Sequence, residues 1–239
     1  MHVNDSKRTP ANRGVFITIE GGEGVGKSSF ASALVAHLST LVNEVVSTRE
    51  PGGTPVANSV RAIFANPPAG ESLTARAEAM LVMAARAQHV TNLINPSLAR
   101  GAWVVCDRYS DSTMVYQGKL ANLDRDWLSK TNDIATEGLT PDLTFLLDCP
   151  VSVSRRRCQG RRVGATGVHA DGAARYDAGT AGEHEVIRAG FLECAANEPS
   201  RFVVLDSSGS LESLMEGSKK ALEEHLGKRL RNTLGGLSS

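Results

Sequence analysis

Short apolar runs rich in β-branched residues alternate along the chain with longer stretches whose apolar residues return every three or four positions. The runs are VFITI (15–19), EVVSTRE (44–50), AWVVCD (102–107), DLTFLLD (142–148) and RFVVLD (201–206). Most are apolar at nearly every position, the pattern of strands covered on both faces. Helical patterns fill the intervals: from the glycine-rich turn through Leu41, from Pro55 onward, over roughly 72–99, over Asp124–Glu137, from Val151 onward and over 211–226. Pro55 suits a first helical turn, where its missing N–H has no partner to lose. Pro96 falls inside the longest pattern and predicts a kink or a break there. Strands separated by helices predict an α/β fold, a five-stranded parallel sheet flanked by helices.

One segment departs from this alternation. Residues 160–182, GRRVGATGVHADGAARYDAGTAG, are rich in glycine and poor in large apolar residues, and carry Arg161, Arg162 and Arg175. Such a stretch adds little core. It reads either as a solvated linker or as a mobile lid, about 158–182, whose arginines reach an active site. The polar ends, 1–13 and 229–239, read as a disordered extension and a flexible tail around one domain at 14–228.

Composition narrows the function classes. Lys and Arg total 26 and Asp and Glu total 26, a balance that argues against a general binder of nucleic acid or membrane surface. No apolar run approaches the ~20 residues of a membrane span, and the polar N-terminus does not resemble a secretory signal. The four cysteines form no CxxC pair and no metal-ligand spacing with histidine, so they read as buried apolar residues in a reducing compartment, the cytoplasm.

The chemistry starts at GGEGVGKS (21–28), which fits G-x-x-x-x-G-K-S directly after a strand and before a helix. In that context the glycines let backbone N–H groups turn inward around a phosphate, and the helix N-terminus adds positive potential. Gly21, Gly22, Glu23, Gly24, Val25, Gly26, Lys27, Ser28 and Ser29 therefore form the candidate ATP site of a P-loop NTPase fold. Lys27 reaches the outer phosphates, and the Ser28 hydroxyl can ligate magnesium. Asp107 ends the third strand, where parallel sheets bind ligands, and is the second candidate magnesium ligand. Arg108 beside it can take a phosphate oxygen. A P-loop serves GTPases, ATPase motors and small-molecule kinases alike. The NKxD base-reading motif of a GTPase is absent, and arginines on several different elements suit two phosphate-bearing molecules facing each other.

Arg86 is the odd residue of the long helix, following seven consecutive apolar residues, Ala79–Ala85. A guanidinium in such a setting needs partners, because burying an unpaired charge is costly.

FITIEGGEGVGKSS, TREPGGTPVANSVR, AARAQH, CDRYSDSTMVYQG and TPDLTFLLDCP, in this order, resemble the motifs of the thymidylate kinase family over about Val15–Leu226. The resemblance implies transfer of the ATP γ-phosphoryl to dTMP, with magnesium as cofactor, in a cytoplasmic homodimer. It implies that Arg49 and Arg61 grip the acceptor phosphate, that Glu50 lies near the sugar 3′-hydroxyl, and that Glu23 lies near the acceptor sugar and phosphate. Thr113, Tyr116 and Gln117 would line the base and sugar pocket, although Tyr116 also reads as plain core packing. Thr113 and Gln117 are four apart and share a helical face. Arg86 would read the thymine carbonyl. The resemblance further implies that, with Glu23 rather than arginine in the P-loop, the lid would supply the catalytic arginine, first Arg161 or Arg162, then Arg175. The chain departs from the family in two places. Val82 stands where a base-stacking phenylalanine is usual, and AARYD places Ala174 and Asp177 where the family lid has Asp and Glu. The first departure leaves open a kinase of another deoxynucleoside monophosphate. The second leaves open a nucleotide-binding regulatory homologue without transfer.

Overall fold

The computed structural model describes residues 13–65, 71–164, 176 and 178–235. Its strands are β1 (Phe16–Glu20), β2 (Val45–Arg49), β3 (Trp103–Asp107), β4 (Leu143–Asp148) and β5 (Phe202–Asp206). They form one parallel sheet in the order β2-β3-β1-β4-β5. All five coincide with the apolar runs to within about a residue. Ile19 lies in register with Asp107 and Phe145, and Arg49 with Asp107, so the C-terminal ends of β1, β2 and β3 reach one edge together.

The helices are α1 (Lys27–Leu38), α2 (Pro55–Ala65), α3 (Ala75–His89), α4 (Asn95–Ala99), α5 (Ser110–Thr113), α6 (Arg125–Thr136), α7 (Val151–Gly164), α8 (Ala181–Asn197) and α9 (Leu211–Gly235). Alternate strand residues face opposite layers. Ile17, Ile19 and Val105 pack with Phe30 and Leu34 of α1 and Leu222 and Leu226 of α9. Phe16 and Val104 pack on the other face with Val90, Ile94 and Leu98, and Leu146 packs there with Ile187 and Phe191 of α8. Two covered faces explain why β1 is buried at every position. Each such large side chain contributes roughly 1.5–3 kcal/mol by leaving water.

Several details differ from expectation. The pattern over 72–99 is helical without a gap from Ala75 to Ala99, and its irregular turn is a π-helical segment, Val90–Ile94, in which the Asn95 N–H reaches back to the Val90 carbonyl. The wider turn precedes Pro96, which has no N–H to give and sits in the first turn of α4. The expected tail from 229 is helical to Gly235. Leu230 continues the buried stripe of Leu222 and Leu226, and Arg229 donates to the carbonyls of Arg13 and Gly14 and pairs with Asp142 at 3.3 Å. Arg13, read as part of the extension, pairs with Asp142 at 3.6 Å; residues 1–12 lie outside the described ones. The candidate lid at 158–182 has helix at both of its ends. Helix α7 runs to Gly164, and α8 opens at Ala181 with a capping box between Thr180 and Glu183.

Candidate active site

The loop after β1 turns into α1 through left-handed glycines. Gly24 has φ 76°, and a Cβ there would stand 2.2 Å from the Ser154 carbonyl oxygen on α7. No other residue type fits. The close approach seats the loop on α7, and Val25 is buried beneath it. Ser28 and Ser29 are exposed in the first turn of α1. The Lys27 ammonium is buried and donates to the carbonyls of Gly21 at 3.0 Å and Gly22 at 2.6 Å. Burial, then the neighbouring Arg108 cation, lowers its pKa from the ordinary lysine value.

Arg108 arrives at the same point from β3. Its guanidinium donates to the Gly21 carbonyl at 3.1 Å, to Ser112 Oγ at 3.2 Å and to Glu23 Oε1 at 2.7 Å. The Tyr116 hydroxyl donates to the same Glu23 oxygen at 2.8 Å, and Arg108 lies 5.0 Å from the centre of the Tyr116 ring. Tyr116 is therefore a packed ring whose hydroxyl also holds Glu23. Two cations, Lys27 and Arg108, share one carbonyl, and Glu23 ties the second to Tyr116.

The residues proposed for magnesium fit that ion. The Ser28 hydroxyl is 3.5 Å from Asp107 Oδ2, and Asp107 Oδ1 is buried without a hydrogen-bond partner among the described residues. A buried carboxylate oxygen costs free energy unless a cation or donor meets it. One carboxylate and one hydroxyl are what magnesium takes from protein when phosphates and water supply the rest. No cluster of three or more His, Cys, Asp or Glu able to hold a metal occurs among the described residues.

The rest of the candidate site is built chiefly by side chains. Arg49 ends β2 opposite Asp107, and Arg61 on α2 donates to the Pro51 carbonyl at 2.8 Å. Arg86 is 1% exposed and almost fully engaged: Nε donates to Glu50 at 2.7 Å, Nη1 to Thr113 at 3.0 Å and to Asn132, and Nη2 to the Tyr109 carbonyl at 3.0 Å. A guanidinium has five N–H donors. Among the described residues these contacts use four and leave one on Nη2. Glu50, expected near the sugar, gives one oxygen to Arg86 and the other to His89 Nδ1 at 3.0 Å; here it holds Arg86. Thr113 ends α5, and the next turn, Met114–Leu120, is π-helical rather than α-helical. Thr113 and Gln117 nonetheless both face α3, the first bonded to Arg86 and the second to Glu78 at 2.7 Å. Val82 is buried on α3, midway between Glu78 and Arg86.

A family model described as thymidylate kinase matches residues 19–217. The chain belongs to the thymidylate kinase family. The thymidylate kinase of Chromohalobacter salexigens is 43% identical to it over 217 residues, spanning 91% of this chain and 97% of that protein. That of Geobacter sulfurreducens is 44% identical over 201 residues, spanning 84% and 92%. A crystal structure of thymidylate kinase from Ehrlichia chaffeensis matches with a TM-score of 0.69 at 28% identity, over 88% of this chain and 99% of that one. Among family members the P-loop NTPase fold is thus the expected one, and the sheet described above has it.

This thymidylate kinase fold also recruits residues that sequence reasoning passed over. Asn132 of α6 and Glu78 and His89 of α3 are buried polar groups bonded to Arg86, Gln117 and Glu50 respectively. Tyr176 donates to Glu78 at 2.6 Å and packs on Tyr116 with ring centres 4.6 Å apart. The available signal for Glu78 was its spacing, four before Val82 and eight before Arg86 on one helical face. Arg161 and Arg162 fall in the last turn of α7, and their side chains, like Ala174, Arg175 and Asp177, lie outside the described residues.

Proposed function

We infer that the chain transfers the γ-phosphoryl of ATP to the 5′-phosphate of dTMP, giving dTDP and ADP. The observation that carries this is the convergence of Lys27 and Arg108 on the Gly21 carbonyl, with Glu23 linking that point to Tyr116 on the acceptor side. The bond between the γ-phosphorus and the ADP oxygen breaks as a bond to an acceptor phosphate oxygen forms. That oxygen is already a nucleophile at neutral pH, so no general base is needed, and positioning and charge neutralisation carry the rate. Lys27 and Arg108 stabilise the charge spread over the transferring group, and a lid arginine, Arg161 or Arg162, completes the set. Ser28 and Asp107 would hold magnesium, which supplies charge neutralisation across the β- and γ-phosphates when bound.

On the acceptor side Arg49 and Arg61 grip the phosphate. Glu23 faces the sugar, with Tyr116 beside it. The free N–H on Arg86 Nη2 reads the thymine edge, while Glu50, Thr113 and Asn132 fix the direction of the guanidinium. Val82 covers the ring by apolar contact.

Two further features support the cytoplasmic homodimer. The four cysteines are free and buried, as a reducing compartment permits. Val56 and Ile63 on α2 and Met80 on α3 are large apolar residues exposed on two neighbouring helices, a face suited to a second copy. Light scattering of the purified chain at twice the monomer mass is the expected result. Among the described residues no helix is long and apolar enough to cross a membrane.

The deciding experiment is an acceptor panel. With ATP and magnesium, dTMP is expected to yield dTDP in preference to dUMP, dCMP and dGMP. Preference for another monophosphate would overturn the specificity and keep the reaction; no transfer to any of them would overturn both.

A further inference from the structure

Glu20 ends β1 directly below the P-loop and is fully buried, a costly place for a carboxyl group. Both of its oxygens are used. Oε1 accepts the backbone N–H of Tyr109 at 2.7 Å, and Oε2 accepts the Ser112 hydroxyl at 2.7 Å. These two partners bracket Arg108 in a specific way. Arg108 has φ 70°, in the left-handed region that side chains with a Cβ rarely occupy. Such a conformation persists where the surroundings over-determine it. Here the Arg108 N–H is tied to the Ile19 carbonyl at 3.0 Å, its carbonyl accepts the Cys106 thiol at 3.1 Å, and the next N–H is the one held by Glu20. At the other end, Ser112 Oγ gives its single proton to Glu20 and so offers a lone pair to the Arg108 guanidinium at 3.2 Å.

We propose that Glu20 is a positioning residue for phosphoryl transfer, fixing both the backbone and the guanidinium direction of Arg108 through Tyr109 N–H and Ser112. The inference rests on the transfer reading above. It needs a carboxylate specifically. A glutamine of the same shape can accept from only one of the two donors. If its oxygen keeps the Tyr109 N–H, its amide nitrogen donates to Ser112. The serine proton must then turn elsewhere, and towards Arg108 it meets another donor. The charge at this point is not needed to balance Arg108 alone, because Arg108 already has Glu23. Nor does Asp111 on the same turn depend on Glu20, since Arg201 holds it through two bonds at 2.7 and 2.9 Å.

The test is a double-mutant cycle on the full chain at pH 8, where Glu20 is a carboxylate: wild type, Glu20→Gln, Arg108→Ala and the pair, each assayed with ATP, magnesium and dTMP and each melted. Displacing a reacting group by an ångström costs up to about a hundredfold, so Glu20→Gln is expected to lower kcat about ten- to hundredfold while the KM for ATP stays within about twofold. In the Arg108→Ala background the same change is expected to cost less than about twofold, because a residue acting through Arg108 has nothing left to position. Equal losses in both backgrounds would show that Glu20 acts on the fold and not on Arg108, and would overturn the inference, as would wild-type kcat in Glu20→Gln. Should Glu20→Gln fail to fold, Ser112→Ala carries the same cycle, with the same non-additivity expected and the same additive result overturning it. Absence of dTDP formation by the wild-type chain overturns the transfer reading and this inference together, whereas transfer with additive losses overturns the inference alone.

Discussion

The two halves of the site are held by different kinds of bond. Beside the P-loop, Lys27 rests on main-chain carbonyls, those of Gly21 and Gly22, and Arg108 shares the first of them while also bonding Glu23 and Ser112. On the acceptor side Arg86 rests chiefly on side chains drawn from distant elements, Glu50, Thr113 and Asn132. The main-chain cradle of Lys27 is set by the loop's own conformation and survives loss of any one side chain around it. A side-chain network fails as a unit, because each member is the buried partner of another. The donor half is therefore expected to lose rate when cut, and the acceptor half to lose stability.

Lys27→Ala gives the largest effect that the comparison predicts. Removing one preorganised donor from a developing charge typically costs 10²–10³-fold in rate, so kcat is expected to fall about a hundred- to a thousandfold where the lysine meets the outer phosphates. The urea midpoint should move little, since the carbonyls of Gly21 and Gly22 remain in the loop. A large stability loss in this variant would break the contrast.

Arg86→Met sharpens it from the other side. The methionine keeps the apolar stem but leaves Glu50 buried beside His89 with no guanidinium. Breaking a buried ion pair on one side costs about 3–5 kcal/mol, which urea denaturation would read directly. Weaker dTMP binding is expected as well. Replacing Glu50 together with Arg86 by apolar residues should recover part of that stability and none of the binding.

Glu20 lies under the junction of the two halves, and its stability signature depends on pH. Burial, then the nearby Asp111, pushes its carboxyl up to about 7 from the ordinary 4.5, while Arg108 and the bonds from Ser112 and Tyr109 pull it back. Between those values the folded protein holds a proton that the unfolded chain has released. Stability from this group is therefore complete below about 4.5, falls as the pH rises, and is gone above about 7, with a slope of up to ~1.4 kcal/mol per pH unit. Urea midpoints of wild type minus Glu20→Gln, taken from pH 5 to pH 8, should show that fall. A flat difference would mean that the carboxyl titrates normally.

How much of this was readable before the structure follows the same divide. The P-loop is a local motif, so nine consecutive residues announced it, and Asp107 and Arg108 followed from ending a strand. The strands were legible because burial on both faces leaves an unbroken apolar run. Asn132 was not legible: it lies 46 residues from Arg86, in a helix where one polar residue on the inner face looks like any other. Tyr116 could be read as core or as site because a tyrosine ring packs either way, and only its hydroxyl on Glu23 separates the two. The helical end at 229–235 was missed because its anchors, Asp142 and the carbonyls of Arg13 and Gly14, come from the other side of the sequence.

The smallest predicted effect concerns the residue where the chain leaves its family's pattern. Val82 shares a face of α3 with Glu78 and Arg86, one turn from each, so a ring placed there would meet a base read by Arg86. Stacking of an aromatic side chain on a base is worth about 1–3 kcal/mol in nucleic-acid systems. Val82 is also buried, and forcing a larger side chain into a packed site costs a comparable amount. The balance places Val82→Phe near a gain of about 1 kcal/mol, roughly a fivefold lower KM for dTMP, with kcat and the KM for ATP unchanged. Because the change acts on the base alone, the gain should extend to dUMP and vanish for an acceptor that lacks a base. A lower KM for ATP instead, or a uniform loss for every acceptor, would place the base away from this face of α3 and remove the ground for assigning Arg86 to it.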